Sequence, residues 1–432
     1  MIGGQKQLNR SPQHSAPTFD LDRLEIVTAL GRGAKGVVFL ATDKLKNEVL
    51  ALKVISRDSI EKKNAKAVKN CDGNEYRRVS FEQEVLAMVN HPLLPRLRGV
   101  LATDKVVGYA IDYCPGRDLH TLRKKQTEKM FSDDMIRFYA AELVLALEYL
   151  HNLGIVYRDL KPENIMIQEN GHIMLVDFDL STKLSPRSPD KSMPPNSFHQ
   201  RSPDSVKKKR LFPFVRCCNS GISPDDAASQ ASVNTDCTEL DSSEKSNSFV
   251  GTEDYVAPEI VSGKGHDFAV DWWSLGIVLH EMLYGTTPFR GSNRKETFSR
   301  ILTKPPELVG EPTPLRHLIR RLLEKDPNQR ITVEEIKGHD YFKGLDWDLI
   351  LRIQRPPFIP AQSEEEITVE VNQGIKGFDV ELFVQEIFAD GGDGDGGRKN
   401  KHDEKHNNKD SWELNQNKSQ FHRREDNQFS VF

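Results

Sequence analysis

From residue 21 to about residue 342 the chain alternates between two hydrophobic rhythms. The stretch "LEIVTALGRGAKGVVFLATD" sets short apolar runs on either side of a glycine turn and reads as strand, turn, strand. "VLALKVI" reads as a third, more uniformly apolar strand. Farther along, the period lengthens. Ile136, Tyr139, Ala140, Leu143, Leu147 and Leu150 recur near one helical face, with Ser132 placed as N-cap and Gly154 just past the end. Residues 268–284 predict a second, buried helix. Small strands first and helices afterwards predict an α+β fold of two lobes, a β-rich N-lobe and a helical C-lobe, with a cleft between them.

The rhythm fails in three places. Residues 1–20 are polar and proline-containing and predict a flexible N-terminus. Residues 183–247 are rich first in Ser, Pro and Lys, then in Ser, Asp and Thr. That is far beyond an ordinary connection of about 4–6 residues and predicts a disordered insertion. Residues 343–432 form a C-terminal tail: "GLDWDLILRIQRPPFIP" still carries packing residues, whereas residues 390–426 have the composition of a disordered segment. The tail nevertheless ends on Phe429, Val431 and Phe432. Burying such a ring is worth about 1.5–3 kcal/mol, so the cluster is either an accident of composition or fits a pocket elsewhere.

Composition narrows the classes. Hydrophobic residues make up 37% and charged residues 29%, which allows a core within a well-solvated chain. A net charge of −4 argues against a whole-protein nucleic-acid binder. Five cysteines (Cys71, Cys114, Cys217, Cys218, Cys237) lack zinc-ligand spacing and predict free thiols in a reducing compartment. "MIGGQKQLNRSP" has no apolar run of a secretory signal, Ile2 excludes simple myristoylation, and no stretch reaches membrane-spanning length. The expectation is a soluble, cytoplasmic monomer.

Candidate chemistry begins at the glycine turn. Gly31, Gly33 and Gly36, followed by Val38, would let backbone amides approach phosphate oxygens, although such a hairpin is often only a turn. Lys53 stands among apolar neighbours, costly unless its ammonium meets anions; the other reading is a lysine snorkelling from an edge strand. Glu82 or Glu84, in "SFEQEVLAMV", offers a partner. In "IVYRDLKPENIMI" and "IMLVDFDLS", Asp159, Lys161, Asn164 and Asp177 lie between apolar runs. Two carboxylates, an amide and a lysine at these spacings suit magnesium binding and phosphoryl transfer.

Taken in order, glycine turn, strand lysine, "YRDLKPEN", "DFD" and "APE" (Ala257, Pro258, Glu259) resemble the eukaryotic protein kinase fold from about Leu24 to Phe342. The resemblance implies ATP and Mg2+ as cofactors. It makes Asp159 the acceptor of the substrate hydroxyl proton, Lys161 the contact to the γ-phosphate, and Asn164 and Asp177 the metal holders. Lys53 would bind the α- and β-phosphates and pair with Glu82, leaving Glu84 solvated. Ile111 matches the gatekeeper, with backbone groups of Asp112 and Cys114 offered to adenine. Glu259 with Arg330 would form a buried ion pair, and Asp271 would brace the catalytic loop. Asp179 departs from the pattern, which has glycine there; it should favour the inward-facing state of this segment. A pseudokinase would lack Lys53, Asp159 or Asp177, and all three are present.

Lys161 and Thr252 of "GTEDYVAPE" resemble serine/threonine kinases, and "YRD", "NHPLLPRL" and "DWWSLG" resemble the AGC group. "DFD" with a long insertion narrows this to the plant AGC VIII kinases, and the whole chain is most like their oxidative-signal-inducible branch. That resemblance implies a role after oxidative or pathogen stress, upstream of mitogen-activated protein kinases, with downstream kinases among the partners. Ser248 matches the site of the phosphoinositide-dependent kinase, with Ser246 as its idle neighbour and Arg158 as the phosphate grip. Phe429 and Phe432 match the hydrophobic motif that docks on that kinase or beside the helix carrying Glu82. Asp118, Glu163 and Glu281 match positions that recognise basic residues upstream of the target, or are surface acids. The run at 207–216, "KKKRLFPFVR", suits nuclear import, a peripheral plasma-membrane contact, or simply a solvated loop. The competing class is a signalling scaffold whose fold mainly binds partners.

Overall fold

In the computed structural model, residues 17–33, 35–66, 75–184, 246, 250–353 and 379–389 are described. The glycine turn joins β1 (Leu24–Arg32) to β2 (Gly36–Asp43), and β3 (Glu48–Ser56) follows antiparallel. Gly36 has a steric reason: a Cβ there would lie 2.2 Å from the Val54 carbonyl oxygen. With β4 (Leu97–Ala102) and β5 (Val106–Asp112) the strands form one sheet in the order β1-β2-β3-β5-β4. Its register sets Lys53 between Val38 and Tyr109. Alternation then sends Leu50, Leu52 and Val54 to the face opposite Lys53, into an apolar layer with Phe39, Leu101 and Ala110.

Between β3 and β4 run α1 (Arg57–Lys66) and α2 (Glu75–Met88). The N-terminal lead-in is shorter than the sequence predicts. Phe19 is buried in the sheet's apolar layer and its N–H donates to the Val100 carbonyl at 2.7 Å, beside Gly99, where a Cβ would collide with the ring.

The second core is built on two long helices after α3 (Leu119–Lys124). α4 (Asp133–Asn152) starts where predicted: the Ser132 side chain caps the Met135 N–H, and Asp133 and Asp134 complement the positive end of the helix. β6 (Ile155–Val156), β7 (Ile165–Ile167), β8 (Ile173–Leu175) and β9 (Thr182–Lys183) make two short ladders on it. After α5 (Pro258–Val261) comes α6 (Ala269–Tyr284), apolar on nearly every side and therefore enclosed. It ends at Gly285, whose φ of 73° reverses the chain without Cβ strain. α7 (Arg294–Thr303), α8 (Pro314–Leu322) and α9 (Val333–Lys337) complete this part.

Two predicted boundaries move. The insertion begins later than expected: Leu184 is buried and its N–H donates to Gly154, so the chain is held through residue 184. The rest of that segment, except Ser246, lies outside the described residues up to residue 249. The tail is also more structured than its polar composition suggests. Ile350 is buried against the helical core, and α10 (Val380–Ala389) packs on the N-lobe sheet through Val380, Phe383, Val384, Ile387 and Phe388. No described helix is long and apolar enough to cross a membrane.

Candidate functional site

The cleft's chemistry starts from the sheet register. Lys53 projects from β3 to Glu82 of α2, with Nζ–Oε distances of 3.0 and 3.2 Å, and to Asp177 Oδ1 at 3.0 Å. Glu82 also accepts the Phe178 N–H at 3.1 Å and the Tyr109 hydroxyl. Glu84, the alternative partner, is exposed. One ammonium thus faces two carboxylates. Burial alone would push Lys53 down, yet Asp177 and Glu82 hold it well above its ordinary range. Burial draws Glu82 up to about 7 in spite of Lys53. Asp177, although buried, is held down at about 2 by Lys53. These shifts agree once the cluster is seen as one positive and two negative groups, in which the more enclosed carboxylate is the easier to neutralise.

Asp177 sits at φ 62°, a left-handed geometry costly for a non-glycine residue, and Phe178 behind it is fully buried against Tyr157. Asp179, which stands where the kinase pattern has glycine, is not among the positive-φ residues. The inward placement comes from Asp177 bonded to Lys53 and from the packed Phe178.

Across the cleft, Asp159 is buried in the loop that follows β6. Its carboxylate receives Lys161 Nζ at 2.8 Å and the Thr252 hydroxyl at 2.8 Å. Asn164 donates its amide to the Asp159 carbonyl at 2.9 Å and to Oδ2 at 3.0 Å. That fixes the amide and leaves Asn164 Oδ1 buried with no hydrogen-bond partner. A buried oxygen without a donor, with the Asp177 carboxylate as companion, fits a hard divalent cation. Burial raises Asp159 above the usual carboxylate range, and Lys161 opposes it.

The loop is braced from below by Asp271 of α6. Its oxygens accept the Tyr157 N–H at 2.9 Å, the Arg158 N–H at 2.7 Å and His151 Nε2 at 2.8 Å. Glu259 and Arg330 meet in a bidentate pair at 2.7 and 3.0 Å, both almost wholly buried. Arg158, at φ 69°, donates Nε to the Leu180 carbonyl at 2.6 Å and Nη1 to the Ser246 hydroxyl at 3.0 Å. Ser246, read from sequence as idle, is therefore the activation-segment serine seen on Arg158; Ser248 lies outside the described residues, as do Phe429 and Phe432.

His266 completes this corner, 3.3 Å from Arg158 Nη1 and bridged by backbone to Ser246. Burial, aided by Arg158, pushes it down to about 4. The unfolded chain, with histidine near 6.5, takes up that proton first, so this contribution is complete above about pH 6.5 and is lost as pH falls toward about 4. Urea unfolding at pH 7 and pH 5 will show a smaller loss of stability for His266→Gln than for the wild type.

The remaining predicted residues are placed as follows. Gly31 and Gly33 flank Arg32 at the turn, and Val38 lies beside Lys53 in the ladder. Ile111 on β5 pairs with Ala51 on β3, the Asp112 carboxylate is bound to Arg96 and Arg98, and Cys114 is buried with its thiol pushed up to about 12. Asp118 is the N-cap of α3 and accepts the Thr121 N–H and hydroxyl. Glu281 is committed to Arg123 at 2.9 Å and to the Tyr255 hydroxyl. Glu163 faces His120 at 3.4 Å and keeps Oε2 without a hydrogen-bond partner. Among the three candidate acids, Glu163 has the most carboxylate to spare. Sequence reading missed Tyr109 and His266. Tyr109 is found only through strand register, and His266 only through the folding of the activation segment onto Arg158.

With this geometry established, three likenesses bear on it. The family described as "Protein kinase domain" matches residues 24–211 and 236–342. The chain is 64% identical over 371 residues to serine/threonine-protein kinase OXI1 of Arabidopsis thaliana, covering 86% of each chain. It is 43% identical over 396 residues to serine/threonine-protein kinase UCNL of the same plant, covering 87% of this chain and 92% of that one.

Proposed function

The chain belongs to the protein kinase family and is a serine/threonine protein kinase, and on that premise we propose that it moves the γ-phosphate of ATP to protein serine or threonine hydroxyls with Mg2+ in the cleft. The observation that carries this reading is the facing pair of clusters: Lys53 with Glu82 and Asp177, and Asp159 with Lys161, Thr252 and Asn164. Lys53, fixed by Glu82, is placed to hold the α- and β-phosphates. Asn164 Oδ1 and Asp177 would hold Mg2+, which supplies neutralisation of phosphate charge. Asp159 accepts a hydrogen bond from the incoming hydroxyl and its proton as transfer proceeds, with Lys161 beside it to steady the moving group. Thr252, bonded to both, ties the activation segment to this step.

The reading extends to regulation and role. We take Ser248 as the site of a phosphoinositide-dependent kinase docking on Phe429 and Phe432, and basic residues upstream of the target as recognised chiefly by Glu163. We further propose a role in oxidative-stress and defence signalling upstream of a mitogen-activated protein kinase cascade; likeness to OXI1 makes the oxidative-stress part plausible. A cytoplasmic enzyme with nuclear or membrane contact through 207–216 fits the same reading. Lys53→Met tests the core of it: phosphate transfer from ATP to an arginine-containing peptide will fall by about 10²-fold or more. Undiminished activity would overturn the assigned chemistry.

A further inference from the structure

Lys35 closes the glycine turn, just after Gly33 and before Gly36, with the Gly33 N–H donating to the Gly36 carbonyl at 2.8 Å. Its side chain does not point to water. The ammonium lies 2.6 and 2.8 Å from the two oxygens of Asp179 and 2.5 Å from Glu75 Oε2. These groups come from three separate segments: the turn, the stretch just past Asp177, and the first residue of α2. All three side chains are mostly buried, at 14%, 23% and 11% exposure.

We propose that Asp179 and Glu75 clasp Lys35 and so hold the glycine turn down over the cleft, making Asp179 a positioning residue for the nucleotide. Gly31 and Gly36 are held in the β1–β2 ladder and Arg32 is bonded to the Ile387 carbonyl, so what is left to fix is the height of the tip over the cleft, where glycine lends little stiffness. Lys35 makes the contact that fixes it. An exposed lysine pair would do little, but here one ammonium is enclosed by two carboxylates on rigid neighbours. Arg78 lies 3.3 Å from Glu75, and Lys63 of α1 stands within the same field, so the acids do not repel each other unbalanced. The clasp also accounts for aspartate directly after Phe178, where glycine could make no such bond.

The same contact reaches α2, which carries Glu82, and the segment that carries Asp177. Closing the turn therefore reinforces the arrangement that holds Lys53. Loss of the clasp frees the lid without removing any group that touches the reacting atoms. Its mark is faster nucleotide departure and a higher KM for ATP, with no matching fall in kcat.

The inference rests on the cleft binding nucleotide, and the experiment separates the two. Dissociation of a fluorescent ADP analogue is followed by stopped flow for the full chain, Lys35→Met, Asp179→Asn, Lys35→Arg and the exchange variant Lys35→Asp/Asp179→Lys, alongside steady-state kinetics with ATP. Lys35→Met and Asp179→Asn will each speed release and raise KM by roughly 3- to 10-fold, the size of a partly buried ion pair. Lys35→Arg will stay near the wild type. The exchange variant keeps one ammonium among two carboxylates and will recover much of the loss. Release rates and KM unchanged in the single variants, or an exchange variant no better than they are, would overturn the clasp while wild-type binding leaves the nucleotide reading standing. A wild type that fails to bind the analogue overturns that reading, and the clasp with it.

Discussion

Asp159→Asn will leave the fold and nucleotide binding intact and lower peptide phosphorylation by about 10²–10⁴-fold, the range for loss of a positioned general base. The geometry explains why the substitution isolates chemistry. Asparagine keeps the size: its Oδ1 can still accept from Lys161 and the Asn164 amide, while its Nδ2 donates to the Thr252 hydroxyl, which turns from donor to acceptor. It cannot take the hydroxyl proton. None of the bonds made by Lys53 is removed, so affinity for the fluorescent ADP analogue should fall far less than phosphorylation does, staying within roughly tenfold of wild type. Burial raises Asp159 toward the pH range where it would be protonated, so wild-type kcat should fall on its acid limb as this carboxylate takes up a proton. A variant retaining more than a tenth of wild-type kcat would remove Asp159 from the proton-accepting role.

The largest effect on stability is expected at the buried pair of Glu259 and Arg330. Arg330→Met strands Glu259 in a site where both partners are nearly inaccessible, and unpairing a buried ion costs about 3–5 kcal/mol. Arg330 also donates to the Ala269 and Glu324 carbonyls and packs on Trp273, so its removal reaches beyond the ion pair. Equilibrium unfolding in urea will show the loss. Glu259→Gln/Arg330→Met, which removes the stranded charge, will recover part of it, with the carbonyl contacts accounting for the remainder. A double variant no more stable than Arg330→Met would mean that the packing on Trp273, and not the pairing, holds this corner together.

Much of this was legible in the chain. The residues proposed to carry the chemistry lie in two short stretches bounded by apolar runs, so local spacing suffices to bring Asp159, Lys161 and Asn164 together. Lys53 and Asp177 needed the kinase resemblance, because only sheet register and lobe packing make them neighbours. α10 was legible in principle: Val380, Phe383, Val384, Ile387 and Phe388 stand at helical spacing, but the polar sequence on either side masks the pattern. The cap at Asp118 is local, three residues from Thr121, and was open to a spacing rule, whereas the corner at His266 and the Lys35 contacts depend on tertiary neighbours far off in sequence that no spacing rule discloses.

α10 also changes what counts as a domain here. The kinase family match ends at residue 342, yet Val380 and Val384 are buried in the same apolar layer as Phe39 and Leu52. Arg32, inside the glycine turn, donates to the Ile387 carbonyl and lies over the Phe388 ring. The unit defined by inheritance is therefore shorter than the unit that folds. A chain cut at the inherited boundary would present the outer face of its five-stranded sheet to water, and the resulting loss would be one of solubility before it was one of catalysis.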